Sequence, residues 1–267
     1  MYDIPEGNRG SKGRAIQNLL NIESGDAVNA FICLKDLNNA EFVNSHYLMF
    51  CTKSGVIKKT SLADYSRPRA NGVIAINIKD EDRVVDVCLT NGENEILIAN
   101  KNGRAIRFNE STVRPMGRTA TGVKGMTLDG ADDEVVGMVC VEDAKTETIM
   151  VVSEQGYGKR SEVEDYRITN RGGKGVKTIE VTEKTGMLIA IKSVTDDNDL
   201  MIINKSGITL RLKVSEVRVM GRATQGVKLI NLAKRNDQIS SVCKVSAAQE
   251  DEEDVIEEDN NNVEGGN

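Results

Sequence analysis

Residues 148–166 read TIMVVSEQGYGKRSEVEDY. An apolar run, Thr148–Glu154, is followed by Gln155-Gly156 and then by a basic, alternating run over 156–163. Two β-prone runs separated by a Gly-containing pair read as a tight hairpin, because such turns need positive φ. The pattern returns three times, as CTKSGVIKKTSLADY (51–65), ANKNGRAIRFNESTV (99–113) and INKSGITLRLKVSEV (203–217). Its glycines are Gly55, Gly103, Gly156 and Gly207, so the period is close to 50 residues.

A second motif keeps the same period. A glycine followed by an alternating apolar run occurs as KGRAIQNL (12–19), NGVIAINI (71–78), TGVKGMTL (121–128), KGVKTIEV (174–181) and QGVKLINL (225–232). A fixed period in two motifs marks a repeat architecture. The third unit divides into four strands, 122–128, 134–141, 148–154 and 156–163. Four short strands per unit, repeated around a ring, define a propeller. The expected fold is all-β, with units near 5–62, 63–113, 114–163, 164–217 and 218–247 forming one domain over 1–248. Trp is absent and aromatics are 3%, which argues against WD-type blades. The fifth unit runs out at ISSVCKVSA (239–247), and YDIP at the start reads as the end of a preceding unit. The chain is therefore expected to be cut from a larger array.

The net charge of −6 hides two regions. Residues 249–267 hold nine acidic and no basic residues, leaving 35 basic and 32 acidic residues in 1–248. The tail is expected to be disordered. It serves as a solubilising segment or as a polyanion mimic that competes for a basic surface. The absence of a long apolar run and of an apolar leader makes a cytoplasmic, non-membrane protein the default.

No enzyme chemistry stands out. Cys33, Cys88, Cys140 and Cys243 share one slot of the second strand, with Ser193 in the remaining unit, and read as core packing rather than as a metal site. The one histidine, His46, reads as a packing or capping residue. NRGGKG (170–175) invites a phosphate loop, but a Walker A loop needs GxxxxGK[ST] and a following helix, and neither is present.

The basic residues recur by slot. The segment leading into each unit is basic and glycine-rich: PEGNRGSKGR (5–14), YSRPRANG (65–72), RPMGRTATGVK (114–124), YRITNRGGKG (166–175) and RVMGRATQGVK (218–228). The hairpins add Lys58 and Lys59, Arg104 and Arg107, Lys159 and Arg160, Arg211 and Lys213. Strand alternation puts Lys58 and Lys59 on opposite faces, so one of each such pair is expected to face a ligand. A belt of cations binds a polyanion through its backbone, without reading bases. The candidate DNA-binding residues are Arg9, Lys12, Arg14, Arg67, Arg69, Arg118, Lys124, Lys159, Arg160, Arg171, Lys174, Lys177, Arg222 and Lys228. The glycines around Arg171 and Lys174 are expected to let the backbone approach a phosphate.

GYGKR (156–160), VRPMGRTATGVKGM (113–126), VRVMGRATQGVKLI (217–230) and PEGNRGSKGRAIQNLL (5–20) resemble the C-terminal DNA-wrapping domain of the bacterial gyrase A protein. The resemblance covers residues 2–246. It implies a six-bladed β-pinwheel whose blades exchange strands, of which about five are expected here. It also implies duplex DNA bent around a basic rim, so that the whole DNA gyrase introduces negative supercoils. The implied partners are the rest of gyrase A together with gyrase B, in an A2B2 assembly; the fragment alone is expected to be a monomer. The enzyme's ATP and Mg2+ are implied to act elsewhere, with no catalytic residue, metal or cofactor in this chain. The family's hallmark box, close to QRRGGKG, belongs to a first blade upstream of this chain. GNRGSKG (7–13) matches it partly, and TNRGGKG (169–175) more closely. Two other readings remain: the related C-terminal domain of topoisomerase IV, and a protein-interaction propeller.

Overall fold

The computed structural model describes residues 8, 12, 14–15, 27–34, 37–67, 72–232 and 237–246. Four hairpins organise it: β1 (Tyr47–Thr52) with β2 (Val56–Ser61), β4 (Glu95–Asn100) with β5 (Arg104–Asn109), β8 (Thr148–Ser153) with β9 (Tyr157–Glu162), and β12 (Asn198–Asn204) with β13 (Thr209–Lys213). The four turn glycines sit at φ of +82, +78, +79 and +84°, as their residue type predicts. One six-residue helix, Ala40–Ser45, precedes β1. His46 caps its C-terminus, with its Nδ1 2.9 Å from Phe42 O.

Each hairpin pairs on one side with a long strand. These are β3 (Val84–Thr90), β7 (Val135–Val141), β11 (Leu188–Val194) and β15 (Ile239–Ser246). The outer strands β6 (Val123–Lys124), β10 (Val176–Lys177) and β14 (Val227–Lys228) are two residues long. The sheet orders are β3-β1-β2-β6, β7-β4-β5-β10, β11-β8-β9-β14 and β15-β12-β13. The four sheets stand in a propeller-like ring, with β3, β7, β11 and β15 as successive inner strands.

The units of the sequence are therefore not the blades. The strand at 134–141 does not join the hairpin at 148–162 that follows it. It pairs with β4, whose hairpin precedes it. The outermost strand comes from further on: Val123 and Lys124 pair with Ile57 and Val56. The backbone shows why. Gly125 donates to Gly55 O, Thr178 to Gly103 O and Leu229 to Gly156 O, each at 2.8 Å. The same expected strand, 122–128, shortens to two paired residues because it crosses the hairpin turn there. Blades that close on downstream strands lock neighbours together at the cost of long loops in sequence.

Three apolar clusters fill the spaces between adjacent sheets. One joins Leu97, Val139, Val151 and Ile191; another joins Met49, Ile57, Ile98 and Met138; a third joins Met150, Val152, Leu200 and Val242. Fully burying such side chains contributes about 1.5–3 kcal/mol each. Cys51 lies in this core. The shared slot is divided: Cys88 and Cys140 pack against the cluster around Met49 and Ser193 is buried, as expected, whereas Cys33 and Cys243 are exposed. The covered members lie on β3, β7 and β11, each of which stands against the following inner strand. Cys88 Sγ reaches Met138 O on the next inner strand at 3.8 Å, and burial pushes its thiol up to about 12.

The blades are also joined by buried ions. Glu110, fully buried, opens the 3-10 turn after β5. It accepts from Lys59 Nζ of the preceding blade at 2.7 Å, and from Thr90 Oγ1, Gly92 N and Asn94 N at 2.8 Å. Removing this carboxylate strands a buried lysine and three donors. Glu110→Ala is expected to cost about 3–5 kcal/mol, read as a lower urea midpoint with unchanged slope. A loss below about 1 kcal/mol would show that the joint does not hold the blades.

Candidate nucleic-acid interface

The lead-in segments leave and rejoin the second strand of a hairpin, β2, β5 or β9. In the first, Pro115 bridges Lys59 in parallel, and the chain loops out and returns to pair Val123 with Ile57. The next two do the same at Ile168 opposite Arg107, and at Val219 opposite Arg160. Three loops, 114–122, 167–175 and 218–226, thus project from the outer edges of three successive blades.

Their last glycines have a structural task. Gly122, Gly175 and Gly226 all have positive φ. A Cβ added to them would meet Ile57 O at 2.5 Å, Ala105 O at 2.3 Å and Gly158 O at 2.6 Å. Here the glycine lets one backbone lie on another. That corrects the expectation for Gly175, which approaches Ala105 rather than presenting its backbone to a phosphate.

Several candidate residues belong to the framework. Lys58 is fully buried and donates to Ala75 O and Arg118 O; its neighbour Lys59 is 4% exposed. Lys159 is fully buried and donates to Gly221 O at 2.7 Å and Ser161 Oγ at 3.1 Å. Arg160, 8% exposed, donates to Val217 O and pairs with Asp196. The expectation that Lys159 and Arg160 lie on the binding surface, and that one of each Lys-Lys or Lys-Arg pair does, is therefore corrected. Both faces of these second hairpin strands are covered, one by the loop and one by the next blade. Arg107 fits the same scheme, donating to Val163 O and Tyr166 O at 2.8 and 3.0 Å while paired with Glu95.

Other candidates lie on the rim. Lys124, Lys177 and Lys228 occupy one slot on successive loops and are exposed. Arg118, Arg171 and Arg222 share another and are half-buried. Arg171 donates to Lys124 O at 2.9 Å and Thr112 O at 3.3 Å; Arg222 repeats this with Lys177 O at 2.8 Å and Asp165 O at 3.0 Å. Each of these two guanidiniums ties its loop to the loop before it. Lys174 is exposed and paired with Asp129 at 2.7 Å, which holds that carboxyl below its usual range. Lys177 lies 3.9 Å from Glu180. Lys12, Arg14 and Arg67 are exposed, while Arg9 and Arg69 lie outside the described residues. So does the acidic tail.

Sequence reasoning missed Arg114, Arg167 and Arg218. They follow the 3-10 turns at one slot, eleven residues after each hairpin glycine, where the first blade has Ser66, and all three are exposed. Among the described residues none of the three forms an ion pair. The period of the hairpin glycines locates them. The surface arginines and lysines thus form three rows, each repeating once per blade.

A family model described as DNA gyrase C-terminal domain, beta-propeller, matches residues 1–35, 46–90, 94–142, 147–195 and 198–245. The chain belongs to this family of β-propellers. The last four matched segments each cover a hairpin and its inner strand, so the family's repeat follows the three long strands of a blade, while the two-residue outer strand of that blade falls in the next segment. The DNA gyrase A protein of Staphylococcus aureus strain NCTC 8325 / PS 47 is 43% identical over 263 residues, which are 98% of this chain and 29% of that protein. The C-terminal domain of DNA topoisomerase IV superposes with a TM-score of 0.78 at 28% identity, over 88% of this chain and 71% of that one. The DNA gyrase A C-terminal domain superposes with 0.77 at 27% identity, over 88% and 75%. No described helix is long and apolar enough to cross a membrane.

The buried lysines make the framework sensitive to pH. Burial, the largest cause, pushes Lys159 from its ordinary 10.5 down to about 8, with Asp165 opposing. The folded state then binds this proton more weakly than the unfolded chain. Ionised Lys159 costs stability below about 8, and the cost is relieved as pH rises from about 8 to 10.5. The stability difference between the wild type and Lys159→Met is expected to shift in favour of the wild type between about pH 7.5 and 10 in urea titrations. A difference flat with pH would contradict this.

Proposed function

We propose that this domain is a non-catalytic module that holds and bends duplex DNA on its outer rim, without reading sequence, in a gyrase-type topoisomerase. The observation that carries the reading is the recurrence of exposed arginines without ion-pair partners at one slot on successive blades: Arg114, Arg167 and Arg218. A repeated cation on a curved edge matches a polyanion that follows the curve. Contacts of this kind bind phosphates and depend on how readily the duplex bends. Lys124, Lys177 and Lys228 form a second row, and Arg118, Arg171 and Arg222 a third. Lys174, Lys12, Arg14 and Arg67, together with Arg9 and Arg69, extend the set.

In this reading the domain serves an ATP-dependent enzyme that introduces negative supercoils. The remainder of gyrase A, together with gyrase B, supplies the catalytic groups and the ATP and Mg2+ sites, and the setting is the bacterial cytoplasm. Similarity to a topoisomerase IV domain is as close in shape as to the gyrase domain. The 43% identity to a gyrase A protein favours the gyrase assignment. A topoisomerase IV role, binding DNA for substrate choice, is the second reading.

The triple variant Arg114→Ala, Arg167→Ala, Arg218→Ala tests the proposal. Each lost phosphate contact reduces the slope of log K against log salt by about 0.9. The variant is expected to show a slope shallower by about 2–3, with its thermal transition unchanged. Wild-type affinity and slope would remove these arginines from the interface.

A further inference from the structure

One loop of the three is built differently from the other two, and the difference opens a cavity. In the first and third blades the residue three after the hairpin glycine is a buried lysine, Lys58 or Lys159. Its ammonium rises under the loop and donates to Arg118 O or Gly221 O. In the middle blade the same slot is Ile106, 2% exposed, which has no donor and stops short. The loop above it changes too. Where the flanking loops carry Ala120 and Thr224, this one carries Gly173, so side-chain volume is lost on both sides of one space. Where they carry Thr121 and Gln225, it carries Lys174.

The result is an open cavity of about 320 Å3 between the loop and β5. Ile106 forms its floor, and Arg167, Asn170, Gly173, Lys174 and Gly175 line it, with no acidic residue in the lining. Arg107 also borders it, but its guanidinium is engaged by Glu95 and by the carbonyls of Val163 and Tyr166. Lys174 leans on Asp129, yet that carboxylate is shared with Arg104 at 3.7 Å, so cations outnumber it. Arg167 is exposed and makes no ion pair among the described residues. Two cations and an amide side chain around a concave opening with an uncrowded glycine, Gly173, suit a compact anion.

We infer that this cavity is a seat for one phosphodiester group of the DNA backbone, which fixes the duplex at the middle blade while the flanking blades contact it only from the surface. The inference rests on the proposed DNA-binding role. Its test is independent of the rim arginines. Ile106→Lys restores the strut present in the other two blades and fills the cavity while adding a positive charge. Gly173→Thr installs the residue of the third loop without altering charge. Gly173 is not among the glycines with positive φ, and an added Cβ meets only Ile106 Cδ1 at 3.5 Å.

The full chain and both variants are titrated with a fluorescent duplex by anisotropy. Both variants are expected to bind about tenfold more weakly, the scale of lost charge-assisted hydrogen bonds. Gly173→Thr is expected to keep the wild-type thermal transition, whereas Ile106→Lys, which puts a lysine in place of a core isoleucine, is expected to lower it while remaining folded at the titration temperature. Weaker binding by Ile106→Lys is the sharper result, because charge alone predicts tighter binding. If both variants bind as tightly as the wild type or tighter, the seat is overturned, even if the rim arginines prove necessary. If the rim variant also binds normally, it is the DNA-binding role itself that fails. In a parallel arm, amide shifts of Gly173 and Lys174 are followed with inorganic phosphate. Shifts with phosphate, combined with unaltered duplex affinity in both variants, would assign the cavity to a free phosphate and overturn the DNA backbone as its occupant.

Discussion

The structure depends on one buried cation per blade, four residues after the hairpin glycine. Lys59, Arg107 and Arg160 sit at this slot, and each grips the 3-10 turn of the following blade. Lys59 does so through Glu110, the first residue of its turn. Arg107 and Arg160 do so through backbone carbonyls of the turn or of the residue that caps it. A buried charge without a partner is expensive, so each joint is satisfied only when the next blade is docked. Arg211, at the same slot of β13, has no described turn to grip; it pairs with Asp199 of its own blade and is about half exposed. The cation thus makes each blade's stability conditional on its neighbour, as in other repeat arrays.

The hairpins, the period, the all-β class and the family were legible because they rest on local signals. Turn chemistry at Gly55, Gly103, Gly156 and Gly207 needs only adjacent residues. Blade membership was not legible. The alternating run after Gly122 is equally suited to any outer strand edge, and nothing local says that it closes the blade of Gly55. The charged residues were misjudged for the same reason. Lys159 and Arg160 look like surface residues until one knows that a loop supplies Gly221 O and a turn supplies Val217 O, both far along the chain. In the opposite sense, Arg114, Arg167 and Arg218 needed only the period, which was already in hand.

The cysteine slot shows how burial in a ring depends on neighbours rather than on residue type. One pattern of small residues recurs on every inner strand, and Cys88, Cys140 and Ser193 are covered, because β7, β11 and β15 in turn stand in front of them. Cys243 on β15 has no such cover among the described residues. The expectation of core packing treated the slot as a property of the strand. It is a property of the stack.

Basic residues in this chain therefore divide into two populations that composition merges. One is buried, recurs on the second strands of the hairpins, β2, β5 and β9, and is satisfied by carbonyls and carboxylates of the loops and turns packed against them. The other stands on the loops, recurs with the same period, and in the case of Arg114, Arg167 and Arg218 is left without ion-pair partners among the described residues. Arg171 and Arg222 link the two, since each rim guanidinium also ties its loop to the preceding one. The loops are thus chained together along the edge as well as fastened to their blades. A rim held this way keeps its charges at a fixed spacing, set by the ring rather than by adjustable side chains. The mild net charge of the body is compatible with this, because what matters for a backbone ligand is the placement of a few unpaired cations and not their surplus.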